Sequence, residues 1–257
     1  MAVSKFMNYP TGDSEGGHPY RLRVGCTFYD VIYQQVLRTT SSVRIRNGKV
    51  VLKLSRFAYG AKRDEIVRKF LKWAEKRLSK ASGNDFINPV YEDGGRIVTH
   101  NKIYDLDVGA RQGGDKSKAR LKNGNLIRIT LASGLSLSVA KKTVQNLSEK
   151  LIVKDQTSYL CEALNELNQL YFQENFVNCR FKRTRSRFGS CSTKRNINIS
   201  FRLLFAPREI FKYVCVHELA HLKKFNHSKE FWCLVELAMP DYKNCEKWLK
   251  NNGFLLG

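Results

Sequence analysis

The hydrophobic positions of this chain change their period near its middle. From Ser42 to Ser55 apolar and polar residues alternate strictly: Val43 and Ile45, then Asn47-Gly48, then Val50, Leu52 and Leu54. Alternation turns one face of a strand toward a core, and Asn-Gly between two such runs favours a tight hairpin turn, so a β-hairpin is predicted. Asp64 to Ala81 takes helical spacing, with Ile66, Phe70, Ala74 and Leu78 on one stripe and Val67 and Leu71 beside it. Its other face, rich in Lys and Arg, reads as solvated. Arg96 to Val108 alternates again around His100-Asn101. Arg111 to Lys122 reads as a loop, and Leu126–Leu131 with Leu135–Val139 as a further hairpin through Ser133-Gly134. His18 and His100 stand alone in the pattern and read as surface or turn residues.

The second half is mainly helical. Leu160, Ala163, Leu164, Leu167, Leu170 and Tyr171 define an amphipathic helix from about 155 to 175. Cys179 to Arg187 and Asn196 to Phe201 read as strands flanking a Gly189-Ser-Cys-Ser loop. Pro207 suits the first turn of the next helix, and Lys223 to Asn226 breaks its apolar pattern, with Asn226 suited to the left-handed conformation that ends helices. Ser228 is an N-cap candidate for a helix Lys229 to Met239, and Asp241 to Asn252 is a last helix stopped by Gly253. No internal repeat is visible. The class is α+β: an N-terminal tail over 1–19, a β-rich region over 20–145, and a mainly helical region with a short antiparallel sheet over 146–257. Residues 20–250 forming one continuous domain is the alternative.

Composition narrows the setting. The chain has 257 residues and a net charge of +22, which favours anionic partners such as nucleic acid or nucleotides, or simply a soluble lysine-rich enzyme. Met1 to Gly17 has no apolar segment of the signal-peptide kind, and no apolar run is long enough to span a bilayer, so no membrane partner is expected. Seven cysteines, odd in number and without a C-x-x-C pair, fit a reducing cytoplasm, with Cys215 and Cys233 on apolar helix faces. Nothing in the pattern specifies an oligomer.

The chemistry concentrates in Tyr213-Val-Cys-Val-His217-Glu218-Leu-Ala-His221-Leu222. On a helix His217 and His221 lie one turn apart on one side, with Glu218 on the flank of the same arc. Three ionisable groups on an otherwise apolar helix are costly to bury without partners, and a cation relieves that cost. If the chain folds back after the break, His227 joins the pair, and three imidazoles with one open position make a catalytic rather than a structural zinc site. Zn2+ in that setting acidifies a water and polarises a carbonyl, while Glu218 takes the proton as general base.

His217 to Trp232, together with Arg185-Ser-Arg-Phe-Gly-Ser-Cys-Ser192, Ile197-Asn-Ile-Ser and Pro207, resembles the YgjP-like metallopeptidase family, with Phe188 where that family usually has tryptophan. The SprT and WLM metalloproteases look like more distant relatives. The resemblance implies a zincin-like catalytic half, a peptide or protein substrate, and roles for Arg185, Arg187, Ser190 or Ser192 at an oxyanion. The competing reading of that segment is a plain turn with surface arginines. An extended peptide would pair with strand 179–187 or 196–201. Two other functions stay open. One is a metal-dependent nucleotide pyrophosphatase, although no Walker-type loop or acidic Mg2+ cluster is present. The other is a nucleic-acid-binding protein with a structural zinc, using Arg180, Lys182, Arg183, Arg185, Arg187, Lys194, Arg195 and Arg202 with Phe181, Phe188 and Phe201. Glu230, Glu236 and Asp241 are candidates to orient the histidines.

Overall fold

The computed structural model describes residues 20–46, 48–80, 89–110, 115–184 and 186–256. The predicted tail, His18, Asn47, Ala81, the start of the 111–122 segment and Arg185 lie outside them. The described residues divide into two compact units, one within Met1–Lys80 and one within Ala81–Gly257. The boundary expected at 145 falls inside a helix.

In the first unit, β1 (Tyr20–Val24), β2 (Thr27–Val36), β3 (Ser42–Arg46) and β4 (Lys49–Ser55) form a sheet of order β1-β2-β4-β3, followed by α1 (Gly60–Leu78). The predicted hairpin is present: Val43 pairs with Leu52 and Ile45 with Val50, and Gly48 sits at φ +67°, a left-handed conformation that glycine adopts without strain. Directly paired residues share a face. Ile45, Val50, Leu52, Leu54 and Val31 are therefore buried together, and α1 contributes Val67, Leu71, Ala74 and Leu78 to this unit's core. Each of the buried Val, Leu and Ile side chains stabilises the fold by roughly 1.5–3 kcal/mol.

The second unit opens on the same plan. β5 (Arg96–Val98), β6 (Ile103–Ala110), β7 (Lys118–Lys122) and β8 (Leu126–Leu131) form a sheet of order β5-β6-β8-β7, and α2 (Leu137–Asp155) follows. In both sheets the two outer pairings are antiparallel and the central one parallel, and both helices have 19 residues. A repeat of topology thus exists where the sequence shows none, because alternation is satisfied by many different residues. Two expectations fail here. Residues 118–122 form an edge strand, its Ala119 and Leu121 masked by flanking bases, and it turns into β8 through Asn123 and Gly124, both at positive φ. Residues 135–139 do not pair with β8; Leu137 and Val139 are exposed in the first turn of α2, whose buried positions include Val144 and Ile152.

The predicted helix over 155–175 is α3 (Thr157–Leu167), extended by one π turn, Asn168–Phe172, and ended at Gln173 with φ +53°. Next come β9 (Asn178–Lys182), β10 (Gly189–Cys191), β11 (Asn196–Ser200), α4 (Arg208–Ala220), α5 (Lys229–Ala238) and α6 (Tyr242–Asn252). Gly189-Ser-Cys is thus a strand rather than a loop. The sheet order is β10-β11-β9, with β11 parallel to β9, so the sheet is mixed and not antiparallel throughout. Its central strand has no free edge, which excludes 196–201 as a surface for strand addition. Cys161 on α3 is disulfide-bonded to Cys179 on β9, Cys215 is buried as expected, and Cys233 is exposed. Gly253 is right-handed, φ −57°, so left-handed termination does not explain it; a Cβ there would lie 2.5 Å from the Phe188 ring. Among the described residues no helix is long and apolar enough to cross a membrane.

Candidate metal centre

Helix α4 is buried along nearly its whole length by Ile210, Phe211, Tyr213, Val214, Cys215, Val216, Leu219 and Ala220. That packing fixes the azimuth of the helix and with it the positions of His217 and Glu218. After Ala220 the chain tightens: the Leu222 N–H donates to Leu219 O, and the N–H groups of Lys223 and Lys224 both donate to Ala220 O. This turn, not a left-handed Asn226, reverses the chain, since Asn226 is not among the positive-φ residues. Ser228 then occupies the N-cap of α5; its hydroxyl donates to Glu230 Oε2 at 2.5 Å rather than capping the backbone.

The reversal brings His227 over the first two histidines. One nitrogen from each of His217, His221 and His227 lies within 4.8 Å of the others. His217 Nε2 and His227 Nε2 are 3.1 Å apart. Zn–N bonds of about 2.0–2.1 Å in a tetrahedral site put two nitrogens about 3.3 Å apart, so the three imidazoles fit one small cation. His221 Nδ1 donates to Lys224 O at 3.0 Å, which leaves Nε2 as its ligating atom. For His221 the orienting group is therefore a backbone carbonyl rather than Glu230, Glu236 or Asp241, while His217 Nδ1 is buried with no hydrogen-bond partner; Asp241 is the N-cap of α6. Burial, then the neighbouring His221 and His227, lowers the His217 pKa to about 3, and burial lowers that of His221 as well. Neutral imidazoles are the form a cation requires.

Phe231, fully buried on α5, binds the cluster together. Its ring centroid lies 4.9 Å from His217, 4.6 Å from His221 and 4.8 Å from His227. Trp232 lies 5.9 Å from both His217 and His227. Neither aromatic was singled out from the sequence, although the Phe-Trp pair after the third histidine was the available signal.

Glu218, on the flank of the histidine-bearing arc of α4, packs against β10. The Phe188 carbonyl accepts from Ser200 N–H and the Ser192 N–H donates to Asn196 O, so strand alternation turns the Cys191 N–H away from β11. It donates to the Glu218 carboxylate. Burial pushes the Glu218 pKa up to about 8, opposed by that N–H and by the Arg187 guanidinium, while Glu218 Oε2 is buried with no hydrogen-bond partner. Of the described residues expected at an oxyanion, Arg187 is exposed and its charge favours the ionised Glu218 carboxylate. Ser190 Oγ accepts from Asn198 Nδ2 at 3.1 Å and Ser192 Oγ accepts from Asn196 N–H at 3.2 Å, so both hydroxyls tie β10 to β11.

In the basic segment around this sheet Arg180, Lys182, Arg183, Arg187 and Lys194 are exposed, and several of its arginines have partners. Arg195 pairs with Glu174 at 2.5 Å, Arg183 with Glu149, and Arg180 donates to Asn198, while Phe181 and Phe201 are buried. Phe181 and Phe201, being buried, offer no stacking platform, whereas Phe188 is half-buried with the Arg202 guanidinium 4.8 Å from its ring centroid.

The curated UTP pyrophosphatase of Escherichia coli (strain K12) is 29% identical over 79 residues, 31% of this chain and 47% of that protein, so the chain spans about half the length of this relative. Two solved metallopeptidase zymogens are similar over 35% of the chain. Abylysin of Pyrococcus abyssi has 25% identity, a TM-score of 0.33 and 92% of its own length covered. Jannalysin of Methanocaldococcus jannaschii has 21% identity, a TM-score of 0.32 and 91% covered. The family described as YgjP-like, metallopeptidase domain matches residues 39–252, and the chain, carrying its histidine cluster inside that span, belongs to this family.

Proposed function

We propose that the protein is a zinc-dependent metallopeptidase with His217, His221 and His227 as ligands and Glu218 as general base. The observation that carries this is the convergence of three imidazole nitrogens within 4.8 Å beside a buried carboxyl group. Zinc held there supplies Lewis acidity toward a peptide carbonyl and toward water. The rest is done by the chain. Glu218 receives a proton from water and returns it to the leaving amine, and its raised pKa brings it toward the range in which it can do both. The Cys191 N–H fixes the orientation of the carboxyl group. Arg187 adds positive charge where negative charge develops. Strand β10 packs on α4 and is an edge strand, so an extended substrate pairs along it.

The test is metal content and peptide release, measured together. Glu218→Gln should retain zinc and lose turnover by about 100- to 10,000-fold; His227→Ala should lose both. Full peptide release by Glu218→Gln would refute its role. The likeness to a UTP pyrophosphatase favours a second reading, hydrolysis of a nucleoside triphosphate at the same site. Release of pyrophosphate from UTP, abolished by the same substitutions and without peptide release, would select it.

A further inference from the structure

The first unit carries a disproportionate share of the charge. Residues 20–80 hold 16 Lys and Arg against 4 Asp and Glu, a net +12 of the chain's +22. The pairing register shows where part of it stands. Because Val31, Val50, Leu52 and Leu54 face the core, the intervening residues line the opposite face of the β1-β2-β4-β3 sheet. These include Arg21 and Arg23 on β1, Phe28, Asp30 and Ile32 on β2, Lys49, Val51 and Lys53 on β4, and Arg44 on β3. Five bases thus meet one acid, Asp30, which is shared between Arg21 at 3.3 Å and Lys49 at 3.5 Å. Phe28 is 58% exposed and Ile32 37%, both on the central strand β2. Arg23 pairs directly with Phe28 across the sheet, its guanidinium 5.9 Å from the ring centroid.

We propose that this sheet face binds single-stranded nucleic acid, the phosphates engaging Arg21, Arg23, Arg44 and Lys53 and a base stacking on Phe28. An exposed ring flanked by arginine, set in a basic sheet, is the combination that unpaired bases and their phosphates require. An anionic bilayer fits less well, because the apolar residues of this face are Phe28, Ile32 and the half-buried Val36 and Val51, too few for insertion. The equivalent face of the β5-β6-β8-β7 sheet differs: Asp105 and Asp107 on its central strand pair with Arg96 at 2.9 Å and Arg128 at 2.6 Å, and among the described residues no aromatic stands there. Charge complementarity therefore selects the first sheet.

The experiment is anisotropy titration of the full-length protein with fluorescent oligothymidine and oligouridine over a range of salt. Phe28→Ala should weaken binding about 5- to 150-fold, with Phe28→Tyr restoring it. Arg44→Gln with Lys53→Gln should flatten the dependence of log K on log salt by about 0.7 for each phosphate left without its cation. Lys72→Gln with Lys76→Gln, on the exposed side of α1, serves as the charge-matched control, and melting curves confirm folding. Failure of the wild type to bind, or an equal loss in the α1 control, overturns the proposal. So does binding that Phe28→Ala leaves intact, or retention on phosphatidylserine vesicles with none on oligonucleotides.

Discussion

Gly189 and Glu218 are in van der Waals contact across the interface between β10 and α4, with no room for a side chain at position 189. A methyl group there would lie 2.3 Å from Glu218 Oε1 and 2.7 Å from its Cγ and Cδ. Backbone and carboxyl group are therefore mutually placed, and the Cys191 N–H completes the cradle. Gly189→Ala should displace the carboxyl group while leaving the three histidines untouched. The expected result is bound zinc at the wild-type level with kcat lower by about 100-fold, the cost of a misplacement near 1 Å. Unchanged kcat would show that this contact does not position Glu218.

Phe231 is the packing element of the cluster. Phe231→Ala removes a fully buried ring that touches all three imidazoles. It should lower the unfolding free energy by about 3–5 kcal/mol, measurable by urea titration. Phe231→Leu, closer in volume, should recover most of that and serves to compare zinc affinity in a folded background.

Chelation should abolish activity without unfolding the chain. The histidines hang on α4 and α5, which are anchored by an apolar core running through Phe211, Val214, Leu219 and Val235. The far-UV circular dichroism of the apo protein should therefore match that of the zinc-loaded protein, with a lower Tm set by binding linkage. Loss of secondary structure on chelation would mark the site as structural.

His100 makes stability depend on pH. Its Nδ1–H donates to Ala206 O at 3.2 Å, and Nε2 accepts from the Tyr159 hydroxyl at 3.1 Å, with the ring packed 5.0 Å from Phe211. Burial lowers its pKa below 6.5, opposed mainly by the Ala206 and Leu203 carbonyls. Below pH 6.5 the unfolded chain takes up a proton that the folded ring resists. The contribution is therefore complete above 6.5 and is lost as pH falls from there toward the lowered folded value. His100→Gln should reduce the slope of urea stability against pH in that window by at most about 1.4 kcal/mol per pH unit.

The Cys161–Cys179 bond is open to direct count. Thiol titration of the unfolded, unreduced protein should find five free cysteines. Seven in protein trapped with a thiol alkylator inside the cell would support the cytoplasmic setting proposed from cysteine usage, with the bond formed only on oxidation.

The sequence by itself determined the elements whose signals are local. The 42–55 hairpin was legible because alternation and Asn47-Gly48 agree, and α1 because its apolar stripe repeats every third or fourth residue. His217, Glu218 and His221 were legible as a group because a helix fixes their spacing. Misreadings came where two periods overlap: Leu135, Leu137 and Val139 alternate like a strand yet begin α2, and Ala119 and Leu121 are too few to announce β7. The repeated sheet plan was invisible because topology is kept by face, not by residue identity. Only the tertiary structure decided that His227 returns to the pair, that the Ser190 and Ser192 hydroxyls accept hydrogen bonds from β11, and that Gly189 leaves the space Glu218 fills. Those are contacts between segments distant in the chain, set by how α4, α5 and β10 pack, and no pattern along one strand or helix encodes them.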